Sequence, residues 1–440
     1  MDTHQKINVF KNTNFTLLFF GVLFSNIAHI LFNFAMSLYV LRIAMDAFGR
    51  DQAPLVQAVY YAVGGFLLLI LTPFGGALAD KKNKVRIMVA TDFIRGIVIL
   101  GGGVLLFMTE KPSSILVLLF VVTILLNINS AFFSPASGSL LRFILKTEEM
   151  QQGASLLTGS NNLQSIIGLI LGGILYVSLG IVWIFIINGV GYILSAISEI
   201  FIRYDSSLHV GGREIGKKFL LKDIKVGLRY VVSAKGIFAI VLMALFINFF
   251  FSPLFSNGMP YFIEYGLKSE GTFLFSPHLT AEHWLSVLNV TFSVSAIIGS
   301  LILAGNKQKT SQSKHLKKML TLMSCVILTY SFVTVFYYTG HIPINPYLIL
   351  TMILFLGIGL SMVFFNVPVG VLLQTKVDPT QLGKVSSLMS VLSQALIPLS
   401  SLIAGIVISQ FGIVYLYLYC AIGIVFVTMW YVSNKNADKI

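Results

Sequence analysis

Residues 75–86 read GGALADKKNKVR and lie between two long apolar stretches. The segment holds a glycine pair, one carboxylate at Asp80 and four basic side chains. A short basic loop between apolar stretches is typical of a connection between membrane-spanning helices, because lysine and arginine concentrate in loops on one side of the membrane. This segment therefore indicates a membrane protein and helps to set its orientation.

The composition of the whole chain supports a polytopic membrane protein. Of its 440 residues, 56% are hydrophobic and 11% are charged, whereas soluble domains carry about 25% charged residues. The net charge of +13 comes from short loops rather than one basic face, so no nucleic-acid partner is expected. Cys325 and Cys420 fall in apolar segments, and neither a disulfide nor a metal site is predicted.

A helix crosses the hydrocarbon core in about 20 apolar residues. By that measure the sequence predicts an all-α membrane protein with twelve transmembrane helices. They cover approximately residues 15–41, 54–79, 87–108, 114–137, 156–177, 181–202, 237–262, 284–304, 319–339, 347–373, 386–409 and 412–432.

The distribution of basic residues predicts which side of the membrane the ends occupy. Of the 30 lysines and arginines, 25 lie in segments on the side of the termini. Arg42, Arg50, Lys111 and Lys268 lie on the other side, and Arg95 lies inside a span. The positive-inside rule then predicts that both termini and the Asp80 loop are cytoplasmic.

The longest predicted cytoplasmic connection divides the spans six and six. We expect an N-terminal six-helix bundle at 1–202, a cytoplasmic linker at 203–236, and a C-terminal six-helix bundle at 237–440. Residues 219–232 have apolar positions at helical spacing with basic ones between, which predicts an amphipathic helix on the membrane surface; a solvated linker is the alternative. Proline, glycine and glutamine positions repeat between the halves at an offset of about 230 residues, so the bundles are expected to be pseudo-symmetric, with a substrate site between them.

The loop after the second span resembles the signature of the major facilitator superfamily, in which glycine, aspartate and cations join helices two and three. Gly76, Asp80, Lys81, Lys84 and Arg86 match it. The resemblance implies that these residues form a cytoplasmic latch between the halves; the alternative is that the cations only enforce topology. Asn83 stands where the family usually has glycine, and the departure is mild because asparagine is one of the few other residues that tolerate a left-handed turn.

Two further resemblances concern transport. Residues 168–173 (GLILGG) are similar to the family's antiporter motif, with Leu169 in place of proline; packing of glycines alone is the alternative. Residues 127–175 and 357–408 look like the matching stretches of bacterial macrolide efflux proteins and related drug exporters. Relatives of this kind export macrolides, siderophores or other compounds, and some flip lysophospholipids.

Few ionisable residues lie at membrane depth, and each is a functional candidate because insertion costs roughly 2.5 to 3.5 kcal/mol. Asp92 and Arg95 are spaced to pair at i, i+3, either as a structural pair or as one that opens and exchanges a proton. His29 is a candidate for substrate contact or proton coupling, since histidine changes charge near neutral pH; a packing histidine is equally compatible. Glu199 is expected to pair with Arg203 at the inner end of its span.

Uncharged polar residues complete the candidate cavity. They are expected to line it because the family's cavity is formed by the helices that carry them, although hydrogen-bonded packing is the alternative for each. Together with His29, they are Asn26, Asn33, Asn127, Ser130, Asn248 and Asn366.

These observations predict a multi-pass protein of the bacterial plasma (inner) membrane that is a secondary active transporter. It is expected to export a hydrophobic or amphipathic, drug- or macrolide-like compound by alternating access, with proton antiport and no cofactor beyond the proton gradient. Such a multidrug efflux function would give antibiotic resistance; a monomer in the lipid bilayer is expected. The alternatives are a lysophospholipid flippase of the same fold and a non-transporting membrane sensor or immunity protein. No motif of phosphate binding or nucleophilic catalysis favours an enzyme.

Overall fold

A computed structural model describes residues 9–146, 149–204, 229, 231–267, 280–305, 312–376, 389 and 391–439. Eleven helices in these ranges are long and apolar enough to cross a membrane, and the apolar part of one more, Leu163–Leu179, is shorter. The predicted all-helical fold is confirmed. In chain order the helices are α1 (Thr13–Phe48), α2 (Ala53–Lys81), α3 (Lys84–Phe107), α4 (Pro112–Ile144), α5 (Met150–Leu179), α6 (Ile181–Ile200), α7 (Lys235–Leu267), α8 (Ala281–Gly305), α9 (Gln312–Tyr338), α10 (Ile344–Lys376), α11 (Val391–Phe411) and α12 (Ile413–Ser433).

The turn between α2 and α3 does not use the left-handed conformation that asparagine tolerates. The backbone of Asn83 is extended, with φ −60° and ψ 117°. Asn83 is instead the N-cap of α3, because its side-chain oxygen accepts a hydrogen bond from the N–H of Arg86 at 3.1 Å. This satisfies one of the donors left free at a helix start.

Helix α7 is not a uniform α-helix. It runs as an α-helix to Pro253 and then contains two π-helical segments, Leu254–Gly258 and Ile263–Leu267, separated by a single α-turn. Pro253 and Pro260 supply no backbone N–H, and this weakens the regular bonding pattern on both sides of Gly258. The helix therefore extends beyond the predicted end at residue 262.

The chain forms two compact units. Unit 1 contains Met1–Ile43 and Val63–Glu214, and unit 2 contains Ala44–Ala62 and Ile215–Ile440. Residues 44–62, which comprise the end of α1, the following turn and the start of α2, thus belong to unit 2. Gly405 of unit 2 packs closely against them, because a Cβ added there would collide with Ala58. The predicted linker helix at 219–232 lies outside the described residues, apart from position 229 and residues 231–232.

Close helix packing in unit 1 depends on glycines. A Cβ at Gly168 of α5 would lie 2.8 Å from Cβ of Ile30 in α1, and one at Gly172 would lie 3.0 Å from the ring of Phe34. A Cβ at Gly75 of α2 would collide with the backbone carbonyl of Ala131 in α4. The packing role that the GLILGG segment allowed is therefore confirmed.

Two tight turns repeat between the halves. Gly180 joins α5 to α6 with φ 78°, and Gly412 joins α11 to α12 with φ 94°. Positive φ is readily available only to glycine, so both turns depend on this residue type. Their separation along the chain agrees with the repeat offset of about 230 residues seen in the sequence.

Candidate functional site

The polar centre of unit 1 is the predicted pair on α3. Nη1 of Arg95 donates to Oδ1 of Asp92 at 2.9 Å, and the side chains are 6% and 0% exposed. The three-residue spacing puts both groups on one face of the helix. The predicted i, i+3 pair is therefore confirmed, and it is fully buried.

Three neighbours fix the Arg95 guanidinium. Its Nη2 donates to the hydroxyl of Ser130 in α4 at 2.9 Å. The guanidinium carbon lies 4.6 Å from the ring centre of Phe133 and 5.4 Å from that of Tyr192 in α6. Cation–π contacts of this kind offset part of the cost of burying the charge. Ser130, a predicted cavity residue, thus belongs to the same cluster as Arg95.

His29 of α1 joins this cluster through Tyr192. The Tyr192 hydroxyl lies 3.1 Å from Nδ1 of His29, and Nδ2 of Asn33 lies 2.9 Å from Nε2. Because an amide nitrogen only donates, Nε2 accepts, and Nδ1 is then the nitrogen that donates to the tyrosine oxygen. Asn33 is exposed. A series of contacts therefore runs from the buried ion pair to the Tyr192 ring, and from the Tyr192 hydroxyl through His29 to an exposed amide.

The other predicted cavity residues divide between the two units. In unit 1, Nδ2 of Asn26 donates to the side chain of Gln164 at 3.0 Å, and Nδ2 of Asn127 donates to the Thr123 carbonyl at 2.8 Å. In unit 2, Nδ2 of Asn248 donates to the Ser393 carbonyl at 3.0 Å. Asn366 is exposed. Asn26 and Asn248 thus join neighbouring helices, and Asn127 bonds a carbonyl of its own helix. Asn366 remains a cavity candidate by its exposure.

The expected pair of Glu199 with Arg203 is wrong. Glu199 is 0% exposed, and neither carboxylate oxygen has a hydrogen-bond partner among the described residues. Arg203 is exposed, and its backbone exchanges hydrogen bonds with Asn14. The two side chains separate because α6 ends at Ile200, so the chain no longer keeps the i, i+4 geometry.

A sequence signal for the burial of Glu199 did exist. Asn188, Tyr192, Ser195 and Glu199 follow one another at helical spacings of four, three and four, and all are buried. Residues at such spacings share one face of a helix. A polar stripe on an otherwise apolar helix indicates a face that packs inward against other polar groups.

The predicted latch residues have different surroundings. Lys84 is 3% exposed, with Nζ lying 4.4 Å from the ring centre of Phe143 and its backbone N–H donating to the Tyr204 hydroxyl. Lys81 and Arg86 are exposed. The Asp80 side chain lies outside the described part of the chain, and no Cβ contact restricts Gly76. Lys84 is therefore a packing residue of unit 1.

Unit 2 has a buried polar centre of a different kind, at the first π-helical segment of α7. Asn257 is 0% exposed, and its Oδ1 accepts from the hydroxyls of Ser256 at 2.8 Å and Ser401 at 2.9 Å. The sequence analysis missed Asn257. The nearby Pro253, Gly258 and Pro260 were the available signal for an irregular helix.

The sequence matches the model of one family and several curated proteins. The Major Facilitator Superfamily model matches residues 18–401. The chain is 23% identical to the uncharacterized MFS-type transporter YkuC of Bacillus subtilis (strain 168), over 87% of this chain and 82% of that protein. It is 22% identical to macrolide efflux protein A of Streptococcus pyogenes, over 93% and 92% of the two chains.

Solved structures share the architecture. The crystal structure of a D-xylose-proton symporter matches with a TM-score of 0.71 at 13% identity, covering 96% of this chain and 97% of that one. At so low an identity the likeness concerns the fold alone.

Proposed function

The chain belongs to the major facilitator superfamily, and on that premise we propose that it is a secondary active transporter that exports a hydrophobic or amphipathic, macrolide-like compound. The likeness to macrolide efflux protein A covers nearly the whole of both chains. It therefore supports an export function for the whole chain, since the likeness is not confined to one segment. The proposed cycle is alternating access driven by proton antiport.

One observation carries this proposal. The buried Asp92–Arg95 pair connects through Tyr192 and His29 to the exposed Asn33. Ionisable groups at membrane depth are costly and mark substrate or proton pathways. We propose that this series of contacts, from a buried charge to an exposed amide, is the coupling site.

Proton antiport is a sufficient energy source for this task. Moving one charge through 100 mV is worth about 2.3 kcal/mol. His29, Asp92 and Arg95 are the residues of the described chain through which we propose that the proton acts. Arg95 would remain paired with Asp92 in one state of the cycle and leave Asp92 as the surrounding helices shift.

The latch proposal keeps its five residues, Gly76, Asp80, Lys81, Lys84 and Arg86, at the proposed cytoplasmic side. Of these, Lys84 is buried with its ammonium group against Phe143. The exposed Lys81 and Arg86 can exchange partners at low cost, because exposed ion pairs are worth roughly 0 to 1 kcal/mol.

Everted membrane vesicles test the export proposal. Vesicles that contain the protein should accumulate labelled erythromycin when respiration energises them, and a protonophore should abolish the accumulation. Vesicles from the same cells without this protein are the control for transport by other proteins. Accumulation that survives the protonophore would exclude proton antiport, and accumulation no higher than in the control would exclude macrolide export.

A further inference from the structure

Glu199 is a buried carboxylate for which neither the family likeness nor the predicted pairing accounts. Its side chain is fully buried in α6, and both oxygens lack a hydrogen-bond partner among the described residues. We propose that Glu199 carries the coupling proton and that Arg95 exchanges between Asp92 and Glu199 as that proton comes and goes. The inference rests on the proposed function only for the use of the proton in export.

The packing of α3 against α6 brings Glu199 to the Asp92–Arg95 pair. A Cβ at Gly96 would lie 2.6 Å from Cδ1 of Ile193, and one at Gly103 would lie 2.9 Å from Cβ of Phe185. The two helices are therefore antiparallel. Continuing this register places Glu199 within one turn of Asp92, roughly 3 Å apart along the axis.

The groups that face Glu199 set its charge balance. From α3 they are Asp92 and Arg95, which are its charged neighbours. From α1 they are Gly21, where an added Cβ would lie 3.8 Å from Cγ of Glu199, and the Leu17 carbonyl beside Ser198. Tyr192 and Ser195 are the polar groups on α6 itself.

One guanidinium cannot neutralise two carboxylates. Asp92 holds Arg95 in an ion pair, so an ionised Glu199 would leave one negative charge uncompensated in a buried site. An isolated buried charge costs many kcal/mol, and such groups take up or lose a proton instead. One proton on Glu199 makes the three-residue cluster neutral.

The unused hydrogen-bonding atoms of the cluster permit an exchange. Nε of Arg95 and Oδ2 of Asp92 are buried without partners among the described residues. When Glu199 loses its proton to water, the O–H electron pair stays on the carboxylate, which then attracts Arg95. The cluster thus has two arrangements, and uptake or release of a proton selects between them.

Infrared spectroscopy of the purified protein tests the protonation directly, without a substrate. At about pH 7 the wild-type protein should show the carbonyl-stretch band of a protonated carboxylic acid. The band should shift when the protein is made with heavy-carbon glutamate, be lost in Glu199→Gln, and move in Glu199→Asp. Glu264→Gln, which changes a carboxylate of unit 2, is the matched control and should leave the band unchanged.

Two infrared outcomes, besides a band that is insensitive to glutamate labelling, would overturn the assignment. They are a wild-type protein without the band and a Glu199→Gln variant that retains it. The labelled wild type keeps the test valid if Glu199→Gln does not fold, because a glutamate band shifts with the label and an Asp92 band does not. A band that is insensitive to glutamate labelling would assign the proton to Asp92 instead.

Transport in proteoliposomes then tests the use of the proton. Labelled erythromycin is the probe. Glu199→Gln should lose the accumulation that one charge at 100 mV can support, about fiftyfold. It should still exchange erythromycin across the membrane when no proton gradient is present. Equal accumulation by wild type and Glu199→Gln would overturn the inference while the export proposal stands. No accumulation by wild type, with the infrared band as expected, would overturn macrolide export and leave the protonated Glu199 supported.

Discussion

The two units differ in the chemistry of their buried polar groups. In unit 1 the interior holds Asp92, Arg95 and Glu199, all 5% exposed or less. In unit 2 the described polar side chains with 5% exposure or less are neutral, with Asn257, Tyr330 and Tyr417 among them, and the buried carboxylate of Glu264 is 9% exposed. Buried charges cost more than buried hydroxyls and are retained where they serve a function or a switch. On this comparison we assign the proposed proton coupling to unit 1 and a packing role to the polar groups of unit 2.

The sharpest way to break this comparison is to remove the cation of unit 1. Arg95→Gln leaves the buried Asp92 without a partner, and we expect a loss of about 3 to 5 kcal/mol in the free energy of unfolding. The measurement is unfolding of the purified protein by SDS in mixed micelles. The double variant Asp92→Asn with Arg95→Gln should recover most of the loss, because it removes both charges.

The double variant is what makes the test specific. A buried pair that loses both partners is often close to neutral in stability, whereas one orphaned charge is strongly destabilising. If Arg95→Gln cost less than about 1 kcal/mol, the pair would behave as an exposed one, and the contrast between the units would be wrong.

The corresponding change in unit 2 should have a smaller effect. Asn257→Leu removes the acceptor of the Ser256 and Ser401 hydroxyls, and we expect a loss of about 1 to 3 kcal/mol. Thr329→Val is the control within the same unit, since Thr329 is exposed and its hydroxyl bonds the Cys325 carbonyl of its own helix. A change within about 0.5 kcal/mol is expected there.

Transport separates a packing role of Asn257 from a coupling role. The erythromycin accumulation of the Asn257→Leu variant, corrected for the amount of folded protein, should keep the protonophore sensitivity of wild type. A variant that still moves the compound but no longer responds to the protonophore would place coupling in unit 2 as well.

The sequence predicted the features that depend on local pattern. The twelve apolar spans follow from hydropathy, and the Asp92–Arg95 pair follows from a three-residue spacing on one helix. Contacts between distant segments could not be predicted in this way. The burial of Glu199 depends on how Gly96 and Gly103 set α3 against α6, and Lys84 is buried because Phe143 lies over its ammonium group.

The smallest expected effect compares two tyrosines. Tyr192→Phe removes the hydroxyl 3.1 Å from Nδ1 of His29 in unit 1, and Tyr330→Phe removes the hydroxyl 3.2 Å from that of Tyr417 in unit 2. Hydrogen bonds between membrane helices average about 0.6 kcal/mol, so both variants should lose a similar, small amount of stability in the SDS assay.

Their transport should nevertheless differ, because the Tyr192 hydroxyl contacts His29 and the Tyr192 ring lies beside the Arg95 guanidinium. Accumulation measured across a series of external pH values should change its pH profile in Tyr192→Phe and in His29→Gln, and keep the wild-type profile in Tyr330→Phe. Identical profiles for all of these variants would remove His29 and Tyr192 from the proton path. The coupling role would then fall to the Asp92, Arg95 and Glu199 side chains, which need no hydroxyl from Tyr192 to share a proton.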